Sequence, residues 1–478
     1  MRTAVMLVLL IATSACGGDP KYTVERLEDP NTCKTCHPRH YDQWSGSMHA
    51  YASEDPVFVA MNARGQREAQ LGTFCVNCHA PMAVKLGLTD GTNFDPAALP
   101  AEAKGITCYF CHDVDSVKDD HNNGLVLAMD QTMRGGAANA ADTPAHDSLY
   151  DKNLMQSSTN KSAMCGSCHD IVTPSGFHIE RSFAEWQGTI FTVAGINGDT
   201  CSKCHMKPSD GVIAEGAGLD VGSRTQGFHE HTFPAIDRAV SPFPNVDAQA
   251  AGVKDILDPA LTITGPRPVA GGNGPGGICL NPDGSMNVRM DTISVGHNYP
   301  SGAAQDRRVW LEVIAYDTAN NVVFSSGAVG ANQDPEDLDD PYLLCSDTSG
   351  TKCTGFWDRM QKSDGTRADF FWEVATANRQ FLKPPVTLDA NAASFDHSTT
   401  AAWNVLAIAP TIVRITARVR TRPFNYRVLE SLVTSGDLDA QYAASLETLE
   451  TSGASKTWTK ATAGTGFASM NTHCNPND

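Results

Sequence analysis

The chain has 478 residues, 41% hydrophobic and 19% charged, enough for two or three ordinary domains and too apolar for wholesale disorder. Its formal net charge of −18 argues against a nucleic-acid binder that works by neutralising phosphates. Fifteen cysteines and fifteen histidines are the unusual counts, and in a reducing cytosol so many thiols would need a metal or catalytic explanation.

The N-terminus sets the compartment. Met1-Arg2-Thr3 is a short basic segment, and Ala4 to Ala12 is a nine-residue apolar run, too short to span a bilayer. Residues 1–15 therefore have the layout of a secretory signal peptide. Cys16, directly after Thr13-Ser14-Ala15, resembles a bacterial lipoprotein cleavage site, with Thr13 where Leu is usual. Cys16 is the expected lipidation residue; ordinary cleavage nearby, with Cys16 lost or left free, is the alternative. The expected location is the outer membrane, on its periplasmic or cell-surface side, with the lipid as the only membrane contact. Residues 16–32, with Gly17-Gly18, Asp19-Pro20 and Asp29-Pro30, read as a flexible tether.

From residue 33 the pattern Cys-x-x-Cys-His occurs five times. The copies are Cys33/Cys36/His37, Cys75/Cys78/His79, Cys108/Cys111/His112, Cys165/Cys168/His169 and Cys201/Cys204/His205. For this Cys and His content, chance supplies about 0.015 such sites. Two thiols two residues apart can add to the two vinyl groups of one haem, and the adjacent His then meets the iron from the same side. Five zinc knuckles would need further closely spaced Cys or His pairs, and thioredoxin-like sites do not demand the trailing His. The expectation is five covalently attached haems c. Successive motif starts are 42, 33, 57 and 36 residues apart, so the series is irregular and not a fixed-period repeat. Residues 33–245 are expected to form a pentahaem cytochrome domain of short helices and loops wrapped around porphyrins.

The residues between the motifs resemble a known family, the multihaem cytochromes of the c-552/4 type, related to the hydroxylamine oxidoreductases. The resemblance rests on Trp44-Ser45-Gly46-Ser47-Met48-His49, Cys78-His79-Ala80-Pro81-Met82, Gly105-Ile106-Thr107-Cys108, Met164 to Asp170, Glu185-Trp186 and Cys204-His205-Met206. It implies that His49 ligates a haem iron. It implies the same for His146 in Pro144-Ala145-His146, for His231 in His231-Thr232-Phe233, and for His297 in Gly296-His297-Asn298-Tyr299-Pro300-Ser301-Gly302. The fifth distal ligand is less clear: His121 is the choice, with His229 behind it. His40, three residues after His37, reads as a surface residue. The family contains both electron carriers and enzymes. The lysine-ligated motif of haem nitrite reductases is absent, since all five motifs end in His.

After about residue 240 the composition changes. Pro242, Pro244, Pro266, Pro268 and Gly271-Gly272 mark the boundary and the loops beyond it. Val309 to Tyr316 is β-branched and aromatic-rich, and Val322-Val323-Phe324 follows Asn320-Asn321, the pattern of a hairpin. Val413, Ile415, Ala417 and Val419 alternate with polar neighbours at period two. Residues 246–422 are expected to form an antiparallel β-sandwich-like domain. Residues 423–478 read as a helical tail, with Asp437 capping a helix that carries Tyr442, Leu446 and Leu449. The fold class expected for the whole is multidomain α+β.

Four cysteines remain, Cys279, Cys345, Cys353 and Cys474. An even remainder in an oxidising compartment points to two disulfides. Three pairings are possible; Cys345–Cys353, a short local loop, with Cys279–Cys474 is favoured, and free thiols are the alternative. The function expected is one-electron transfer between redox proteins, either other cytochromes or a membrane oxidoreductase, with no catalytic residue assigned. Two other readings stand beside it: an oxidoreductase with one open haem acting on a small nitrogen or sulfur compound, and a haem-bearing protein whose β-domain recognises a surface.

Overall fold

The structure, a computed structural model, describes residues 21–136, 143, 145–151, 162–193, 199–215, 223–224, 228–263, 277–334, 354–389, 397–464 and 473–474. Cys16, Cys345, Cys353 and the signal segment lie outside the described residues.

The first half is built from short helices whose ends are written in the sequence. Pro30, Pro38, Pro56 and Pro81 each open a helix, where a missing N–H costs nothing. Thr107 and Thr200 cap the turns Cys108–His112 and Cys201–His205 by accepting from Phe110 N and Lys203 N. In both, and in Val76–His79, the motif histidine is the last helical residue. The longest helix, Pro56–Ala69, stops where Gln70 turns left-handed at φ 48°. Three ribbons sit between the motifs: Val114–Asp119 with Gly124–Leu127, Thr132–Gly135 parallel to Asp147–Tyr150, and Ile171–Val172 with His178–Glu180. The apolar core here is small, centred on Leu27, Met82, Tyr109, Phe110, Val114 and Leu125. Among the described residues, no helix is long and apolar enough to cross a membrane.

The second half is two antiparallel sheets around one core. The larger runs in the order Thr376–Gln380, Thr354–Gln361, Arg308–Tyr316, Arg414–Arg422, Leu449–Thr459, with Val322–Ser326 paired to the far end of Arg308–Tyr316. The smaller runs Ile278–Leu280, Ser285–Thr292, Ser398–Asn404, with Leu261–Thr262 also on Ser285–Thr292. Period-two patterning explains the core: Met286, Val288 and Met290 face Val309, Leu311, Val313, Ile415, Ala417 and Val419, all fully buried. On the opposite side Arg420 donates through Nε and Nη2 to the buried Glu312 at 3.1 and 3.2 Å.

Two expectations change. The helical tail is short: helices Tyr426–Thr434 and Ala440–Ser445 are followed by the strand Leu449–Thr459, which pairs with Arg414–Arg422. Asp439, not Asp437, caps the second helix, and Asp437 instead pairs with Arg67. Beyond Pro244, residues Val246–Leu257 form a helix that buries Val253 and Leu257. The two halves share a hydrophobic cluster, in which Val57 and Ala60 of the long helix pack with Phe370, Val428, Leu429 and Leu432. Arg307 adds a bidentate pair to Asp237 at 3.0 and 2.9 Å.

Candidate haem-binding site

Four of the five motif histidines face a second histidine at one common spacing. His37 faces His146 with ring centroids 6.3 Å apart, and His112 faces His231 at 6.3 Å. His169 faces His49 at 6.2 Å, and His205 faces His297 at 6.3 Å. Two imidazoles opposed across one metal ion, each bonded at about 2.0–2.1 Å, place their centroids roughly 6.2–6.4 Å apart. Stacked rings in van der Waals contact would be much closer. The donor set therefore fits four haem irons, each with an axial imidazole on both faces.

Second partners fix which nitrogen points inward. Nδ1 of His37 donates to Ile213 O at 2.7 Å, that of His112 to Arg134 O at 2.6 Å, and that of His205 to Pro234 O at 2.8 Å. On the opposing rings, Nδ1 of His146, His231 and His297 donates to Asp147 O, His229 O and Asn298 O at 3.0, 2.9 and 2.7 Å. A carbonyl can only accept, so each Nδ1 carries the proton and Nε2 keeps the lone pair a metal needs. Burial favours the same neutral form. It pushes His49 down to about 3 and His169 to about 4, and lowers His37, His112, His205 and His297.

His79 is different. Its Nδ1 donates to Ala52 O at 3.2 Å, like the others. The ring against it is Phe58, parallel within 3° at 4.0 Å, a stack on the face of the imidazole. All fifteen histidines are among the described residues, and none is recorded opposite His79. His121, expected as the fifth distal ligand, stands beside His178 at 6.5 Å and not across from His79, while the runner-up His229 bonds Met206 O through Nδ1, which leaves its Nε2 free as in the paired rings. His40 is not a plain surface residue. It lies edge-on to His231 and against Phe228, both at 4.7 Å, because a position three after His37 returns to the same side of the chain.

The attachment points adjoin one another. The thiols of Cys33 and Cys108 are neighbours close enough to perturb one another, as are those of Cys78 and Cys168, and of Cys165 and Cys201. The first site thus adjoins the third, and the fourth adjoins both the second and the fifth. Cys36 has a backbone role beside its expected place as an attachment sulfur. The sequence marks it as an attachment sulfur, the expected partner of Cys33 on one haem. In the structure its main chain also fastens the motif: Cys36 N donates to Cys33 O at 3.2 Å, and Cys36 O accepts from Glu215 N at 2.7 Å. Cys36 lies just past the helix Pro30–Lys34, where backbone groups lack helical partners and turn to a neighbouring segment. The Glu215 bond closes the same segment over His37 that supplies Ile213 O to its ring. Cys36, Cys75, Cys111 and the other motif sulfurs are partly buried, whereas Cys204 is exposed. Away from the motifs, Cys279 and Cys474 form a disulfide across 195 residues of chain.

Residues 32–113, which hold the first three motifs, match the family model for cytochrome c554 and c-prime. Over those residues the chain is similar to the multihaem c-type cytochromes. That likeness supports haem c as cofactor and electron transfer as function. Its fold is similar to that of a penta-heme cytochrome c552 from Thermochromatium tepidum, at 16% identity and a TM-score of 0.59, covering 92% of this chain and 99% of that one. No curated protein sequence matches the chain. The features missed in the sequence are the backbone acceptors Ile213, Arg134, Pro234 and Ala52, which have no side-chain signature, and Phe58, which reads there as ordinary helix core.

Proposed function

We propose that the chain holds five haems c and passes electrons singly between redox proteins outside the cytoplasm, tethered by a lipid on Cys16. Each haem would be fixed by one Cys-x-x-Cys pair and by His37, His79, His112, His169 or His205. His146, His231, His49 and His297 would close the second axial position on four irons. The observation that carries this is the common 6.2–6.3 Å spacing of four imidazole pairs. A haem c supplies a one-electron iron couple; two imidazoles keep its iron low-spin and closed to substrate. Carbonyls hold six of the eight paired rings in one tautomer, so little moves there when the charge changes. The nearness of attachment thiols from different motifs supports short steps from site to site. Haem quantification per chain and low-temperature electron paramagnetic resonance test the reading. Five haems with four low-spin irons are expected; fewer than four low-spin irons would overturn it.

A second reading has one observation of its own. Among the described residues no histidine ring stands across from His79 at the 6.2–6.3 Å spacing of the other four pairs, so the iron at that site would be open to a small nitrogen or sulfur compound. A high-spin signal that shifts on adding cyanide or hydroxylamine is expected if it is so; a fifth low-spin iron would end it.

A further inference from the structure

The turn between Val114–Asp119 and Gly124–Leu127 reads Asp120-His121-Asn122-Asn123. Asn122 and Asn123 hold left-handed φ values of 52° and 59°, which asparagine tolerates better than most residues. The turn is fastened at several points. Asn122 donates through Nδ2 to Val172 O at 2.8 Å and accepts from Val172 N at 2.9 Å. Its own N–H donates to Asp170 O at 3.1 Å, and that of Asn123 to Ser167 O at 2.5 Å. The Asn123 amide also donates to Asn77 O.

This anchoring holds His121 against the hairpin Ile171–Val172/His178–Glu180, in which Val172 pairs with His178. The two rings stand 6.5 Å apart, tilted by 49°. His178 is exposed and the His121 side chain is 39% exposed, so an ion in solvent reaches both. Neither follows a Cys-x-x-Cys pair. Asp120 Oδ1 lies 3.3 Å from His121 Nδ1, which orients the ring and directs Nε2 away from the carboxylate.

We propose that His121 and His178 bind a divalent transition-metal ion of the zinc type, with Asp120 as a positioning residue and water completing the shell. Imidazole donors select such ions over magnesium and calcium. Bonds of about 2.0–2.1 Å need ring centroids about 6.3 Å apart for opposed rings and about 5.2 Å at a tetrahedral angle. The exposed side chains reach either value by moving roughly 0.2–1.3 Å. The local charge is mixed. Asp119, Asp120 and Asp170 flank the pair; Arg181 pairs with Asp170, and Arg379 donates to His178 O while facing Asp358. A bound ion would tie the turn that touches the second motif to the hairpin that follows the fourth.

Calorimetric titration of the oxidised holoprotein with zinc chloride, at about pH 7.5 so that imidazole is neutral, tests this. One zinc per chain is expected, with no heat from magnesium. His121→Ala and His178→Ala should each weaken binding about tenfold or more, and Asp120→Asn several-fold. Unchanged zinc affinity in both histidine variants would overturn the proposal. So would loss of a low-spin iron in His121→Ala, because that would put His121 on a haem.

Discussion

At the scale of single residues, each iron's chemistry is set by what faces the motif histidine. His297→Ala leaves His205 without its opposing ring, so one iron per chain should turn from low to high spin in electron paramagnetic resonance, with the haem count unchanged. A second residue, remote from the ligands, makes a statement about pH. Burial pushes Asp306 up to about 7, with Glu180 adding repulsion and Arg308 offsetting part of it. The folded state therefore keeps this proton where the unfolded chain has lost it. Stability from this group is complete below the ordinary carboxylate range and falls as pH rises from about 4 to 7. Asp306→Asn should flatten that slope and melt several degrees above the parent at about pH 8, a difference that shrinks towards pH 4. The ten motif cysteines and five motif histidines were legible in the sequence because their chemistry is contiguous. The second job of Cys36 was not, because a backbone bond to Glu215 leaves no trace in residue type. His49, His146, His231 and His297 were named only through family resemblance, since their partners lie far off in the chain. His121 was chosen without such a resemblance, and its ring lies beside His178 and not beside a motif histidine.

At the scale of elements, strands with strict alternation were readable and those without it were not. Arg414–Arg422 and Arg308–Tyr316 show their period plainly, and they form the centre of the larger sheet. Leu449–Thr459 hides because it is rich in small polar residues. Its register also shifts opposite Arg418 and Val419, so its buried Thr451, Ala454 and Trp458 follow no fixed period. The helix Tyr426–Thr434 has a clearer face: Leu429 and Leu432 are fully buried against the long helix of the haem half. Leu432→Ala should cost about 2–5 kcal/mol, read as a lower denaturation midpoint. The Cys279–Cys474 bridge ties the end of the chain to the smaller sheet, where Leu280 N and Trp458 Nε1 both donate to His473 O at 3.0 Å. Cys474→Ser should lower stability by about 2–5 kcal/mol while leaving haem content unchanged.

At the scale of the molecule, the two halves are one working unit. His297 and the Glu185–Ser301 hydrogen bond at 2.7 Å cross between them, as do the Arg307–Asp237 pair and the cluster around Leu429. The β half is thus more than a cover, because it brings a ring to His205. The whole chain carries a formal charge of −18, and haem propionates would add to it. A cationic small-molecule reductant should therefore react roughly tenfold faster at low than at high ionic strength, and an anionic one should show the opposite trend. Stopped-flow rates with the two kinds of reagent measure this.

The adjoining thiols have a consequence for how the chain is made. Cys33 with Cys108, Cys78 with Cys168 and Cys165 with Cys201 are neighbouring pairs that an oxidant could join before any haem arrived. Six of the ten thioether sulfurs would be lost that way. Yet Cys279 and Cys474 must be oxidised in the same chain. If all five motifs carry haem, maturation calls for opposite redox treatment of two sets of cysteines, with the motif thiols kept reduced until porphyrin is attached and Cys279 and Cys474 joined to each other. The order of those events decides whether an active cytochrome or a misbridged chain results.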